Sequence, residues 1–239
     1  MTGAEWEYRP APDLEQGVVE RLRGFPREPS MWVYAVRSAA AVALRTWLRL
    51  YHRFEVVGRS HLPREGAFVI VGNHSSHLDA PCLLSALPLG ALHRAFPAAA
   101  ADYFFTSLPR TAFSGIVINA LPFERKGGGA ESLEICRSLL ATEGNVLILF
   151  PEGTRSTTGE LGRFRSGIAR IVAGTSVPVV PAYLEGAARA WPKGSPVPRP
   201  KKLVLRLGAP RSYAEEGTDR DAAQHVCEDL RSAVVDLAG

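Results

Sequence analysis

Ala67-Phe68-Val69-Ile70-Val71-Gly72-Asn73 runs directly into His74-Ser75-Ser76-His77-Leu78-Asp79. The first half is a short, buried-looking apolar stretch rich in β-branched residues, which reads as a strand. The second half turns small and polar, which ends the strand and opens a helix from Asp79. A histidine and an aspartate at such an edge are the types needed for a general base and its orienting carboxylate. His74, His77 and Asp79 are equally the types of a metal-ligand cluster. This stretch alone leaves both readings open.

The strand-then-helix pattern recurs outward from this point. Strands are expected over Phe54–Val57, Ala67–Gly72, Val117–Leu121, Val146–Phe150, Val179–Leu184 and Leu203–Leu207. Helices are expected over Asp79–Ala86, Ala130–Thr142, Ser166–Ala173 and Asp219–Leu237, the last with Ala222, Val226, Leu230 and Val234 on one face. Helices alternating with strands predict an α/β fold, a central sheet flanked by helices. No internal repeat is evident, and the proline-rich run Trp191–Pro200 reads as a surface loop. The expected organisation is an arm over 1–30, a helix over 31–53 and a single domain over 54–239.

The chain has 239 residues, 46% of them hydrophobic, which excludes the disordered class. Its 28 basic and 24 acidic side chains give a mild positive balance with pI near 9.1. That balance fits an anionic partner without identifying one; nucleic acid is not expected. Cys82, Cys136 and Cys227 are scattered among apolar neighbours with no CxxC pair, which favours a reducing compartment over a disulfide framework. The N-terminal residues carry no signal-peptide pattern, and no window has the ~20 apolar residues of a membrane span.

Met31 to Arg53 has helical periodicity. Arg37, Ser38, Arg45, Arg49, His52 and Arg53 fall on one arc, and Trp32, Val33, Val36, Ala40, Ala43, Leu44, Trp47, Leu50 and Tyr51 on the other. This basic amphipathic helix fits a membrane interface, with arginines towards anionic headgroups and indoles at the boundary. It equally fits a helix packed by its apolar face on the protein's own core, with the arginines in water.

Two more loops follow apolar runs. Phe150-Pro151-Glu152-Gly153-Thr154-Arg155-Ser156 succeeds Val146-Leu147-Ile148-Leu149, and Arg163-Phe164-Arg165 lies shortly beyond. Ligand sites of α/β sheets gather at the carboxyl ends of strands, and arginine suits phosphate. Phe123-Glu124-Arg125-Lys126-Gly127-Gly128-Gly129 supplies further basic residues, without the Lys-[Ser/Thr] ending of a nucleotide-binding P-loop.

Together these residues resemble the glycerolipid acyltransferase superfamily, in particular the 1-acyl-sn-glycerol-3-phosphate (lysophosphatidate) acyltransferases. Its four blocks occur in order: His-x4-Asp at His74 and Asp79, a segment from Gly115 to Arg125, Phe150–Ser156 in full, and Val-Pro-Val-x-Pro at Val177–Pro181. The second block reads Leu121-Pro122-Phe123-Glu124-Arg125, where relatives often end in Asp-Arg.

The resemblance implies a glycerol-3-phosphate acyltransferase-like fold with a mixed sheet. It implies transfer of an acyl group from acyl-CoA or acyl-carrier protein to a lysophospholipid hydroxyl, foremost that of 1-acyl-sn-glycerol-3-phosphate giving phosphatidic acid, with another lysolipid or polar lipid as the alternative acceptor and with no metal or organic cofactor. His74 would be the general base, for which an imidazole's ordinary pKa of ~6.5 is suited, and Asp79 its orienter. Arg125, Glu152, Gly153, Thr154 and Arg155 would bind the acceptor. The acyl tail needs an apolar groove, and Phe96, Tyr103, Phe104 and Phe105 fit its lining and fit core packing equally well. The enzyme would sit peripherally at the cytoplasmic, inner face of the membrane. A five-residue step is about 140° on a helix, so His74 must lie in the loop with Asp79 reaching back from the first turn. A competing reading is a non-catalytic lipid-binding protein that keeps the fold.

Overall fold

The computed structural model describes residues 31–100, 117–123, 129–192 and 194–238. The arm expected over 1–30 lies outside them, as do Tyr103, Phe104, Phe105, Glu124 and Arg125.

β2 (Phe68–Gly72) is the centre of the molecule, buried at all of its positions. Its side chains alternate between two cores: Phe68 and Ile70 face one, Val69 and Val71 the other. A strand covered on both faces must be apolar at every position, which is why its sequence does not alternate. The first core is closed by α1 (Met31–His52) through Leu48 and by α2 (Asp79–Ala86) through Cys82, Leu83 and Leu84. The second is closed by α3 (Gly129–Leu140), α4 (Gly167–Val172) and α6 (Arg220–Asp236), through Cys136, Leu139, Ile168, Ile171, Val226, Leu230 and Val234. Each large aliphatic side chain so buried contributes roughly 1.5–3 kcal/mol.

The remaining elements are β1 (Glu55–Val57), β3 (Ala95–Ala100), β4 (Leu121–Phe123), β5 (Val146–Leu149), β6 (Val179–Glu185), α5 (Ala187–Ala190) and β7 (Val204–Leu207). The seven strands are ordered β1-β7-β6-β2-β5-β3-β4. All neighbours run parallel except β6 and β7, so the sheet is mixed as expected. β2, β5, β3 and β4 therefore present their carboxyl ends along one edge. The three thiols are buried and unpaired.

Two expectations need correcting. β3, Ala-Phe-Pro-Ala-Ala-Ala, escapes a sequence reading because alanine and proline are poor strand formers. It is specified instead by its parallel pairing with β5 on one side and β4 on the other. The strand expected over Val117–Leu121 begins only at Leu121. Asn119 interrupts it with φ of 57°, and its side-chain amide donates to the carbonyls of His93 (3.3 Å) and Ala95 (3.2 Å).

Helix α1 carries the largest surprise. Arg37 and His52, from the basic arc, are buried, whereas Trp32, Val36 and Leu50, from the apolar arc, are exposed. Arg37 donates to Asn119 Oδ1 at 3.1 Å, Arg45 to the Leu87 carbonyl, and His52 Nδ1 bonds the Lys201 carbonyl at 3.0 Å. Burial lowers the Arg37 pKa to about 10, partly offset by Tyr34. The helix has inward contacts for its cations because loops and helix ends beneath it offer carbonyls that need donors. Among the described residues, no helix is long and apolar enough to cross a membrane.

Candidate active site

The site is built where β2 and β5 end side by side. Asn73 continues the sheet with its side chain: its amide donates to the Leu184 carbonyl at 3.2 Å and its oxygen accepts the Leu184 N–H at 2.7 Å. The ladder to β6 is thereby satisfied while the backbone turns away, which brings His74 to the sheet's edge.

His74 is held by its main chain as firmly as by its ring. Its N–H donates to Glu152 Oε1 at 2.7 Å, and its carbonyl accepts from Ser156 N–H at 2.7 Å. The ring stacks on Phe150, with centroids 4.4 Å apart and planes within 19°. Nδ1 lies 2.8 Å from Asp79 Oδ2. The same oxygen accepts the N–H groups of Ser75 (2.7 Å) and Ser76 (2.8 Å), so Asp79 reaches back from the first turn of α2 across the loop. Two backbone donors on Oδ2 of this fully buried carboxylate fix that oxygen as an acceptor and the imidazole Nδ1 as the N–H that meets it. Nε2 then holds the lone pair, on a side chain that stays 22% exposed. Such a pair is equipped to take a proton from a bound hydroxyl.

Glu152 is used differently from its neighbours. It is 7% exposed, and besides His74 N–H it accepts Gly162 N–H on Oε2 at 2.8 Å. Burial raises its pKa, and these two backbone bonds oppose the rise. A Cβ at Gly162 would sit 2.9 Å from Oε2, so glycine is what lets this loop come close enough to donate. Gly153 turns with φ of 71°, and a Cβ there would meet the Arg165 guanidinium at 2.8 Å. Thr154 is exposed at the rim. Arg155 Nη1 lies 2.5 Å from His77 Nε2. Arg125 lies outside the described residues. Phe96, in β3, packs partly against the second core.

The structure thus brings together His74, Asp79, Glu152, Gly153 and Arg155. Ser156, within the Phe150–Ser156 block, does supply a donor, its N–H to the His74 carbonyl. Sequence reasoning missed the contributions of Asn73, Gly162 and Trp191, whose carbonyl accepts Ser76 Oγ at 2.8 Å. Only proximity to the His74 motif signals the first; nothing in the sequence signals Gly162 or Trp191. The metal alternative fits the geometry poorly. His74 Nδ1 is committed to Asp79, His77 Nε2 faces a guanidinium, and no cluster of three or more metal-ligating side chains occurs among the described residues.

This edge, with its histidine–aspartate pair beside an arginine loop, lies within residues 53–185, which match the family model described as Acyltransferase. The chain belongs to this acyltransferase family. It is 29% identical over 189 residues to the chloroplastic 1-acyl-sn-glycerol-3-phosphate acyltransferase LPAT1 of Arabidopsis thaliana, covering 78% of this chain and 49% of that protein. It is 30% identical over 135 residues to 1-acyl-sn-glycerol-3-phosphate acyltransferase alpha of Homo sapiens, covering 55% and 45%. The chain spans about half the length of the curated relatives it matches. The fold is similar to that of the 1-acyl-sn-glycerophosphate (LPA) acyltransferase PlsC from Thermotoga maritima, with a TM-score of 0.64, 24% identity, and coverage of 86% of this chain and 80% of that one.

Proposed function

We propose that this chain transfers a fatty acyl group from a thioester, acyl-CoA or acyl-carrier protein, to the free hydroxyl of 1-acyl-sn-glycerol-3-phosphate, giving phosphatidate. The observation that carries the reading is the 2.8 Å contact of His74 Nδ1 with buried Asp79, on the same edge as Arg155. The names of the relatives support the acceptor.

A neutral alcohol is a poor nucleophile, so attack on a thioester needs a base in place. His74 Nε2 accepts the hydroxyl proton as the oxygen attacks the thioester carbonyl. A new C–O bond forms, the C–S bond breaks, and the imidazolium returns the proton to the departing thiolate. Asp79 stabilises the imidazolium in between. Glu152 holds the His74 main chain, while Arg155 and Arg125 bind the acceptor's phosphate with Thr154 at the rim. Gly153 lets the loop approach closely.

The exposed Trp32, Val36, Leu50 and Tyr51 of α1 support a peripheral seat on a membrane surface, where the acceptor resides. The buried, unpaired cysteines favour the cytoplasmic face. The test is an acceptor panel with one radiolabelled acyl thioester and purified chain. Labelled phosphatidate from lysophosphatidate, exceeding product from lysophosphatidylcholine or monoacylglycerol, is the expected result. Thioester left intact with every acceptor refutes the reading and favours a non-catalytic lipid binder.

A further inference from the structure

Proton transfer from the acceptor makes no use of His77, although it lies inside the His74–Asp79 segment. Its Nε2 sits 2.5 Å from Arg155 Nη1, and its ring centroid lies 5.4 Å from that of Trp191, tilted by 53°. A guanidinium offers only N–H donors, so the imidazole must be the acceptor, neutral and with its own proton on Nδ1. Burial, Arg155 and His74 all lower the His77 pKa below its ordinary 6.5, and Asp79 acts the other way. Arg155 comes from the loop after β5 and Trp191 from the segment after α5, while His74 and Asp79 belong to His77's own segment. Trp191 is itself tied to that segment through Ser76 Oγ.

We propose that neutral His77 is a positioning residue that holds the Arg155 guanidinium in place for the phosphate of the acceptor, and that protonating His77 releases it. This rests on the reading of Arg155 as a phosphate ligand. A long arginine side chain loses considerable rotamer freedom when it engages an anion, and ordering it beforehand lowers that cost. An imidazole suits the task better than a carboxylate, because it accepts one N–H without placing a negative charge beside the incoming phosphate. Once protonated it has no lone pair to offer and repels the guanidinium.

Initial rates with acyl-CoA and lysophosphatidate test this on the purified full chain. Arg155→Ala and His77→Ala should each raise the acceptor KM about tenfold, the lower range for a lost hydrogen bond to a charged group. The kcat of the His77 variants should change less than about twofold, as expected for a binding effect. The double variant should be no worse than Arg155→Ala. His77→Gln, whose amide oxygen also accepts, should restore KM. In the parent chain KM should rise as pH falls below ~6.5, and in His77→Gln this rise should be weaker. The phosphomonoester's own titration near ~6 affects both proteins alike, so their difference carries the result.

Normal KM in His77→Ala, or a double variant whose effects multiply, overturns the proposal while leaving Arg155's role intact. An unchanged KM in Arg155→Ala overturns both. Thermal unfolding checks each variant, and should His77→Ala not fold, the pH comparison with His77→Gln decides: identical profiles refute the proposal.

Discussion

In residues 73–79 polar groups go inside: Asn73, Ser75, Ser76 and Asp79 are buried, each with hydrogen bonds to the protein. Along α1, large apolar groups stay outside: Trp32 is 59% and Leu50 76% exposed, while Arg37 is buried. Both invert the usual sorting of side chains, in opposite senses. In the loop the inversion is compensated internally, since hydrogen bonds within the segment and to neighbouring loops meet its buried polar side chains, Asp79 through Oδ2 alone. On α1 the inward cations are met by Asn119 Oδ1 and by the Leu87 and Lys201 carbonyls, while Trp32 and Leu50 stay exposed among the described residues. A rigid, self-satisfied polar edge suits chemistry, and an open apolar face suits a surface.

The contrast can be broken by exchanging what each region needs. His74→Ala should lower kcat by at least ~10²-fold with little change in acceptor KM, the range for one general base. Steady-state kinetics showing near-normal turnover would remove His74 from the chemistry. Glu152→Gln should cost about 1–3 kcal/mol of stability, because its NH2 must face one of two backbone donors, and turnover should fall as His74 loosens. Denaturant titration beside a rate assay checks both. Arg37→Ala should also destabilise, by roughly 1–3 kcal/mol, since buried Asn119 loses its donor. By contrast, Trp32→Ala with Leu50→Ala should leave stability within about 0.5 kcal/mol per site. That pair should weaken co-sedimentation with anionic vesicles. If it destabilises as Arg37→Ala does, the face is covered by the protein and the contrast fails.

Much of the candidate site's geometry was legible because its residues lie in two contiguous stretches. The five-step His74–Asp79 spacing dictated a loop-then-helix arrangement, and the 2.8 Å contact has that form. Runs such as Val146–Leu149 read as strands because covered strands are apolar throughout. α6 was legible from its four-residue spacing, and the structure adds a cap at Asp219, whose side chain accepts the Asp221 and Ala222 N–H groups. β3 was not, since its strand character comes from neighbours and not from its alanines. Nor was the orientation of α1: periodicity separates two arcs, but carbonyls distant in sequence, at Leu87 and Lys201, decide which faces inward. The use of Glu152 was hidden for the same reason, because its partner Gly162 is not marked by any motif.

The central claim is direct transfer to a hydroxyl deprotonated by His74, and thiol release in a rapid-quench experiment tests it most directly. Mixed with acyl-CoA alone, the chain should release no burst of CoA. Adding lysophosphatidate should release CoA mole for mole with phosphatidate. A burst equal to the enzyme concentration without acceptor, with label bound to the chain, would contradict the account by revealing an acyl-enzyme.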